Sequence, residues 1–220
     1  YTLDGDTEGE IQYENFNACR AEFKITGVNV HPGSAKDIMV NASLVAMEIN
    51  SLLPPQETPR DTEGYEGFYH LTDMKGDVAE AVLRYIVRDH QADSFEKRKQ
   101  KLHDIVKAMN QKYGRGTVTL TITDQYRNMA EIIAGSMHLI ENAEQACRNV
   151  GIEPLILPIR GGTDGAQLSF KGLPCPNLGT GGHGYHGPYE HITAEGMEAA
   201  CNVAIELVKI YSRQGTGRQS

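Results

Sequence analysis

The chain has 220 residues, 40% of them hydrophobic and 23% charged, with a formal net charge of −8. This allows one or two globular domains, contains no apolar run of the ~18 residues a membrane span needs, and argues against a surface for the phosphates of nucleic acid. Cys19, Cys147, Cys175 and Cys201 show no C-x-x-C spacing, so the thiols point to buried positions in a reducing, cytoplasmic setting rather than to a zinc knuckle or redox pair.

No secretory signal is visible, so the sequon Asn41-Ala-Ser43 is read as chance. The start at Tyr1 rather than Met leads us to expect a piece of something longer.

Tyr1-Thr-Leu-Asp4-Gly5 leans apolar and ends in Asp-Gly. That is either a plain turn or a carboxylate displayed at a strand end, where it could bind a metal. Ile11 to Phe16 is expected to continue a strand, and Ala21–Thr26 alternates as a half-buried strand does. In the following loop, Pro32 pushes His31 into an extended conformation, which sets a histidine on a loop tip. Alone, that is either a solvated side chain or a hydrogen-bonding group for a ligand.

Ser34-Ala-Lys-Asp37 reads as a capping box for a helix burying Ile38, Ala42, Val45, Ile49 and Leu52. Pro54-Pro55 stops it. Residues 67–74 and 79–88 read as two strands joined by hairpin chemistry at Lys75-Gly-Asp77. Arg88 ends the second beside Asp89, as an ordinary surface ion pair or as a carboxylate clamp, which the planar guanidinium suits. Asp93 and Glu96 are expected to cap a helix with Phe95, Leu102, Ile105, Val106 and Met109 inward, ended by Gly114-Arg-Gly116. Thr117–Thr123 follows as a strand. Residues 19–123 thus run strand, helix, strand, strand, helix, strand, which is the ferredoxin-like βαββαβ order.

The pattern then changes. Ser136–Val150 reads as a helix with Met137, Ile140 and Cys147 inward and Gly151 as its stop, and Ile152–Ile159 as an apolar strand. A long glycine-rich run follows, Pro158 to Phe170 and on to Gly187, carrying Arg160, Asp164, His183 and His186. A linker is the plainer reading. The apolar segments Leu155–Leu157 and Leu168–Phe170 threaded through the run favour strand ends and loops at the rim of a sheet, where α/β proteins bind ligands. Thr193 opens a last helix whose stripe is Met197, Cys201, Ala204, Val208 and Tyr211, and from Gln214 onward we expect fraying. The fold class is α/β. Residues 1–17 are too few to stand alone and are expected to pair with 128–220, which makes 18–127 an insertion.

Five segments in order, Glu10-Ile-Gln-Tyr-Glu-Asn-Phe-Asn17, Asn29-Val-His-Pro-Gly33, Tyr65-Glu-Gly-Phe-Tyr-His70, Pro158-Ile-Arg-Gly-Gly-Thr-Asp-Gly165 and Pro174-Cys-Pro-Asn177, closely resemble the peptidase T family, tripeptide aminopeptidases of the dinuclear zinc peptidase superfamily. The resemblance covers essentially the whole chain. It implies an α/β zinc-binding catalytic domain interrupted by a lid or dimerisation domain. It also implies that the family's N-terminal half, with its His-x-Asp motif, bridging Asp and Glu-Glu pair, is absent here, so that the fragment alone is inactive.

Carried over by position, Asp4 and His186 are ligands to different zinc ions of a pair. His183 or His191 would stand in if His186, followed here by Gly187-Pro-Tyr-Glu-His191, is not the ligand. His31 resembles the lid histidine at the scissile carbonyl. Arg88 and Arg160 resemble the arginines that hold the peptide's C-terminal carboxylate. Asp164 is read from its glycine setting as a group that orients its neighbours. A tripeptide substrate and a homodimer through the lid are the expected partners, with no nucleic acid or membrane. A dipeptidase or N-acyl amino acid hydrolase of the same superfamily, or a non-catalytic dimerisation or binding module, are the alternatives.

Overall fold

The computed structural model describes residues 1–216, with side chains to residue 214. Two compact units emerge: a discontinuous one, Tyr1–Asn15 with the chain from Arg127 onward, and a continuous one, Phe16–Tyr126. In chain order, the discontinuous unit opens with strands β1 (Thr2–Gly5) and β2 (Glu10–Gln12). The continuous unit is β3 (Asn17–Thr26), α1 (Ala42–Ser51), β4 (Phe68–Gly76), β5 (Glu80–Asp89), α2 (Ala92–Tyr113) and β6 (Val118–Tyr126). The chain then gives α3 (Ala130–Ile133), α4 (His138–Asn149), β7 (Leu155–Ile156), α5 (Asp164–Phe170), β8 (Asn177–Gly179), β9 (Gly182–His183), β10 (His191–Ile192) and α6 (Ala194–Thr216).

The continuous unit is an antiparallel sheet in the order β4-β5-β3-β6. Alternation along the strands sends Cys19, Ala21, Phe23, Ile25, Leu83, Tyr85 and Val87 to one face, where Val45 and Ile49 of α1 and Leu102, Ile105 and Met109 of α2 meet them. This is the βαββαβ order read from the sequence.

Two helix starts differ from that reading. Ser34–Asp37 is not the cap of α1: Pro32–Ser34 is a 3-10 turn, Ile38 is exposed, and α1 starts at Asn41, whose side chain accepts from the Leu44 amide at 3.2 Å. Asparagine is as good a cap as serine, and it sits one turn nearer the first buried residue, Ala42. Helix α2 starts after Gln91 with no side-chain cap, while Asp93 lies in its first turn, where a carboxylate still favours the helix dipole.

Glu48 of α1 ties that helix to α2, with its carboxylate 2.7 Å from Lys112 Nζ and accepting from the Tyr113 hydroxyl at 2.6 Å. These two bonds, the one to Lys112 foremost, hold its pKa below the ordinary glutamate value. A depressed carboxylate pKa adds stability that is present above the unfolded value of about 4.3 and is lost as pH falls through the folded one. Glu48→Gln is therefore expected to lower stability by about 0.5 kcal/mol at pH 7. Urea midpoints should converge with wild type below about pH 4; a gap that persisted at pH 3 would show that charge is not the cause.

The discontinuous unit has a four-stranded sheet in the order β1-β8-β2-β7, parallel at β1/β8 and β2/β7 and antiparallel at β8/β2. Ile11 and Leu178 point into a core with Ile133, Ile140, Ala143, Cys147, Val203 and Leu207.

Several expectations shift here. The strand expected over Ile11–Phe16 ends at Gln12, leaving an isolated bridge of Asn15 to Ile159. The strand expected over 152–159 shrinks to β7, and Leu155 and Ile156 are 45% and 43% exposed because β7 is an edge. Leu168–Phe170 is helical, within α5. The first helical turn after Arg127 comes at Ala130, and Met137 is exposed. On α6 the buried stripe is Ala200, Val203 and Leu207; Met197, Cys201 and Val208 are exposed. Both faces of that helix are apolar, so periodicity alone does not choose between them. Gln214 does not fray: its side chain donates to Asn142 Oδ1 at 3.0 Å and the helix runs to Thr216, while the rest of the expected tail lies outside the described residues.

Candidate metal and substrate site

Strand β1 pairs with β8 in parallel, Thr2 opposite Asn177, Leu3 opposite Leu178 and Gly5 opposite Gly179. Asp4 is exposed near the end of this strand, and its Oδ2 accepts a hydrogen bond from Thr163 Oγ1 at 3.1 Å. Of the two sequence readings, displayed carboxylate or plain turn, the strand holds the first.

Thr163 is extended (φ −147°, ψ 154°) and caps α5, its Oγ1 accepting from the Gly165 amide at 3.2 Å. Gly165 lets that first turn press onto β8: a Cβ there would stand 2.4 Å from Cys175 O and 2.7 Å from Asn177 Oδ1. At Gly165 the glycine-rich run is therefore close-packed backbone, not a linker. Thr163 was not among the residues singled out from the sequence. Its signal was there, a hydroxyl residue just before a helix start in Gly-Gly-Thr-Asp-Gly. Asp164, which was, lies exposed in the first turn of α5.

His186 lies in the loop between β9 and β10, which pair with His183 opposite His191 and their rings 5.5 Å apart. His186 is exposed and has φ 61°, the left-handed region, which costs a non-glycine residue roughly 1 kcal/mol. Its amide donates to Glu190 Oε2 at 2.8 Å, which holds the turn. Strain fixed this way often marks a functional position.

The hydroxyl of Tyr185, the preceding residue, is hydrogen-bonded to the Thr180 hydroxyl and donates to Gly5 O at 3.4 Å. The residues next to Asp4 and to His186 thus touch. Of the other two histidines, His183 is half-buried, and exposed His191 has Nδ1 2.8 Å from Tyr189 O.

Asp4 Oδ1 and both ring nitrogens of His186 carry no hydrogen bond among the described residues, so one carboxylate and one imidazole have donor atoms to offer a metal. Their chemistry fits a zinc-type ion, but their number does not close a site. Among the described residues no group of three or more His, Cys, Asp or Glu could hold one. Arg160 is half-buried and directly follows the Asn15–Ile159 bridge.

In the continuous unit, His31 is extended (φ −57°, ψ 126°) and exposed, and its Nδ1 accepts from the Gly33 amide at 3.1 Å. An Nδ1 that accepts leaves the ring proton of a neutral imidazole on Nε2, so the exposed edge of the ring is a donor. Arg88 is half-buried, with its guanidinium 5.5 Å from the centre of the Tyr126 ring. Arg88 Nε and the Tyr126 hydroxyl are buried without a hydrogen-bond partner among the described residues. Burial raises the Tyr126 pKa, and the Arg88 charge opposes that.

The surface ion pair to Asp89 does not form, because the next residue along a strand points to the other face; Asp89 pairs with Arg98 at 2.7 Å instead. A cavity of 580 Å³ on this unit is lined by Arg20, Glu22, Thr72, Arg84, Thr121 and Thr123 and not by His31. Its Arg84 is already paired with Glu22 at 2.7 Å and with Asp73 at 2.5 Å.

Residues 13–117 match the family model of a peptidase dimerisation domain. The chain is 53% identical over 214 residues to peptidase T of Desulfitobacterium hafniense, an alignment covering 97% of this chain and 52% of that protein. It therefore spans about half the length of the curated relatives it matches. Among solved structures, a tripeptidase from Staphylococcus aureus superposes with a TM-score of 0.82 at 19% identity, over 96% of this chain and 56% of that one. A dinuclear metal binding peptidase of the M20 family from Bacillus subtilis superposes with a TM-score of 0.66 at 16% identity, over 95% and 55%.

Proposed function

The chain belongs to the peptidase T family, and from that premise we propose that it supplies about half of a metal-dependent tripeptide aminopeptidase, one that releases the N-terminal residue of a tripeptide. The observation that carries this reading is the hydrogen bond from the Tyr185 hydroxyl to Gly5 O, which joins the chain neighbours of Asp4 and His186 although the two are far apart in sequence. The tripeptidase and dinuclear-peptidase relatives support it.

We read Asp4 and His186 as ligands to two different metal ions, zinc in the first instance, with the remaining ligands and a carboxylate base coming from the rest of the protein. When bound, such ions lower the pKa of an attacking water and stabilise negative charge developing on the scissile carbonyl. The residues of this chain do the rest of what we assign to it. His31 donates its Nε2 proton toward the carbonyl oxygen. Arg88, whose Nε has no partner among the described residues, and Arg160 hold the C-terminal carboxylate of the peptide, and with it the substrate's length. Asp164 serves as an orienting group beside Thr163. In this reading residues 1–17 and 128–220 belong to the catalytic domain, and 18–127 form the lid through which two copies pair. No described helix is long and apolar enough to cross a membrane, and on the free cysteines we place the protein in a reducing compartment, the cytoplasm.

The test is substrate length. Full-length protein loaded with zinc should cleave a tripeptide with kcat/KM about 100-fold above the matching dipeptide or N-acyl amino acid. That ratio equals about 2.7 kcal/mol, the range of a charge-assisted hydrogen bond left unmade. This chain alone, given zinc and a tripeptide, should show no turnover. Equal rates on all three substrates, or turnover by this chain alone, would overturn the proposal.

A further inference from the structure

Beneath Asp4 runs a row of buried polar side chains that a sheet interior would ordinarily exclude. Glu10, Gln12 and Asn177 are 6%, 8% and 1% exposed. The register sets Thr2, Asn177 and Gln12 directly across β1, β8 and β2. Glu10 is two residues along β2 from Gln12 and shares its face, while Asp4 sits at a break in the β1 register and meets the row through the Thr163 hydroxyl.

The polarity of the row follows from its end. Glu10 accepts at both oxygens: its Oε2 takes the Asp6 amide at 2.9 Å and Gln12 Nε2 at 3.0 Å, while its Oε1 takes the Thr7 hydroxyl at 3.2 Å. That turns Gln12 Oε1 toward Asn177, which donates to it through Nδ2 at 3.4 Å. Asn177 Oδ1 then faces two hydroxyls, accepting from Thr2 and lying 3.0 Å from Thr163 Oγ1. Thr163 has one proton and two acceptors in reach, Asn177 Oδ1 and Asp4 Oδ2 at 3.1 Å. Thr2 already supplies Asn177, and a charged acceptor outbids a neutral one, so the Thr163 proton goes to Asp4.

We propose that Glu10, Gln12, Asn177 and Thr163 form a positioning chain for Asp4. The chain fixes one carboxylate oxygen through Oδ2 and leaves Oδ1 as the oxygen presented to a cation. Its buried carboxylate holds the loop on the same side: Asp6, pinned by Glu10, accepts through its carbonyl from the amides of Thr180 at 3.2 Å and Gly181 at 2.9 Å, and so anchors the segment that leads to His186. This rests on the reading of Asp4 as a metal ligand. Hydrogen-bond partners of ligands typically change metal affinity by about 10–100-fold when removed.

The experiment is zinc affinity of the full-length protein, measured by competition with a chromophoric chelator, with thermal melting to confirm that each variant is folded. Thr163→Val should weaken one of two zinc ions by about 10-fold or more and leave the other unchanged. Thr163→Ser, which keeps the hydroxyl, should restore it. Gln12→Leu, which leaves the cap of α5 intact, should weaken the same ion several-fold, and it carries the test if Thr163→Val does not fold.

Wild-type affinity in Gln12→Leu would overturn the chain, whether or not Thr163→Val weakens binding. Asp4→Asn separates the two levels. If it retains two zinc ions at wild-type affinity, the ligand reading itself fails. If it loses one while Thr163→Val and Gln12→Leu bind normally, the positioning proposal alone fails.

Discussion

Replacing Arg98 by methionine is expected to destabilise the continuous unit by about 3–5 kcal/mol, a large share of the 5–15 kcal/mol that holds a typical domain folded. The Arg98 side chain is 14% exposed and Asp89 is 4% exposed, and they meet Nε to Oδ2 at 2.7 Å. A second guanidinium nitrogen binds Glu57, and the plane lies 5.1 Å from the centre of the Tyr69 ring. Burial works against the Arg98 charge, but the hydrogen bonds to Asp89 and Glu57 prevail and raise its pKa.

Without the arginine, Asp89 keeps, among the described residues, only the Gln91 amide, at 3.0 Å on Oδ1, as a hydrogen-bond donor to its carboxylate, and a buried charge is left without its counter-ion. The segment 57–67 also loses its tie, because Gly67 packs so close that a Cβ would stand 2.4 Å from Asp89 Oδ2 and 2.7 Å from Arg98 Nε. The double variant Arg98→Met with Asp89→Leu should recover most of the loss, since neither charge then remains. Urea unfolding with amide hydrogen exchange read on β5 measures both. A loss below about 1 kcal/mol in the single variant would mean that the pair behaves as a surface ion pair.

The second large effect is expected in the discontinuous unit. Gly179→Ala should cost about 3 kcal/mol or prevent folding, the upper range for forcing extra atoms into packed structure. An added Cβ would stand 1.9 Å from Thr7 O and 3.2 Å from Glu10 N, both backbone atoms that no rotamer change can move aside. Gly179 faces Gly5 across β1 and β8, so relief would have to come from the strand that carries Asp4.

Gly172→Ala is the control. Gly172 has φ 95° but nothing within 4 Å of an added Cβ, so only backbone strain of roughly 1 kcal/mol is expected there. Thermal melting of both variants decides the matter. Equal losses would show that conformation, not close approach, makes glycine necessary at position 179.

The two units were unequally legible for a physical reason. In the continuous unit each strand has one buried and one open face, so alternation at Ala21–Thr26 and Thr117–Thr123 carries the sheet in its spelling. In the discontinuous unit the strands are two to four residues long, too short for a period to register. Helix α6 shows the converse problem. It carries two apolar stripes, and only the packing of Val203 and Leu207 with Ile11 and Ile140 selects one. Among the candidate residues, Asp4, His186, His31 and Arg88 were marked by residue type and motif. Thr163, Gln12 and Glu10 were not, because nothing in a threonine, a glutamine or a glutamate announces that it will be buried.

By itself the sequence determined the α/β class, the βαββαβ order of the continuous unit and the residue types able to bind metal and carboxylate, since these follow from local periodicity and side-chain chemistry. Only the tertiary structure decided that Asp89 turns to Arg98 and that Thr163 rather than Asp164 reaches Asp4. Each of those outcomes depends on a partner distant in the chain or on which face a backbone presents, and contacts of that kind exist only once the chain has closed on itself.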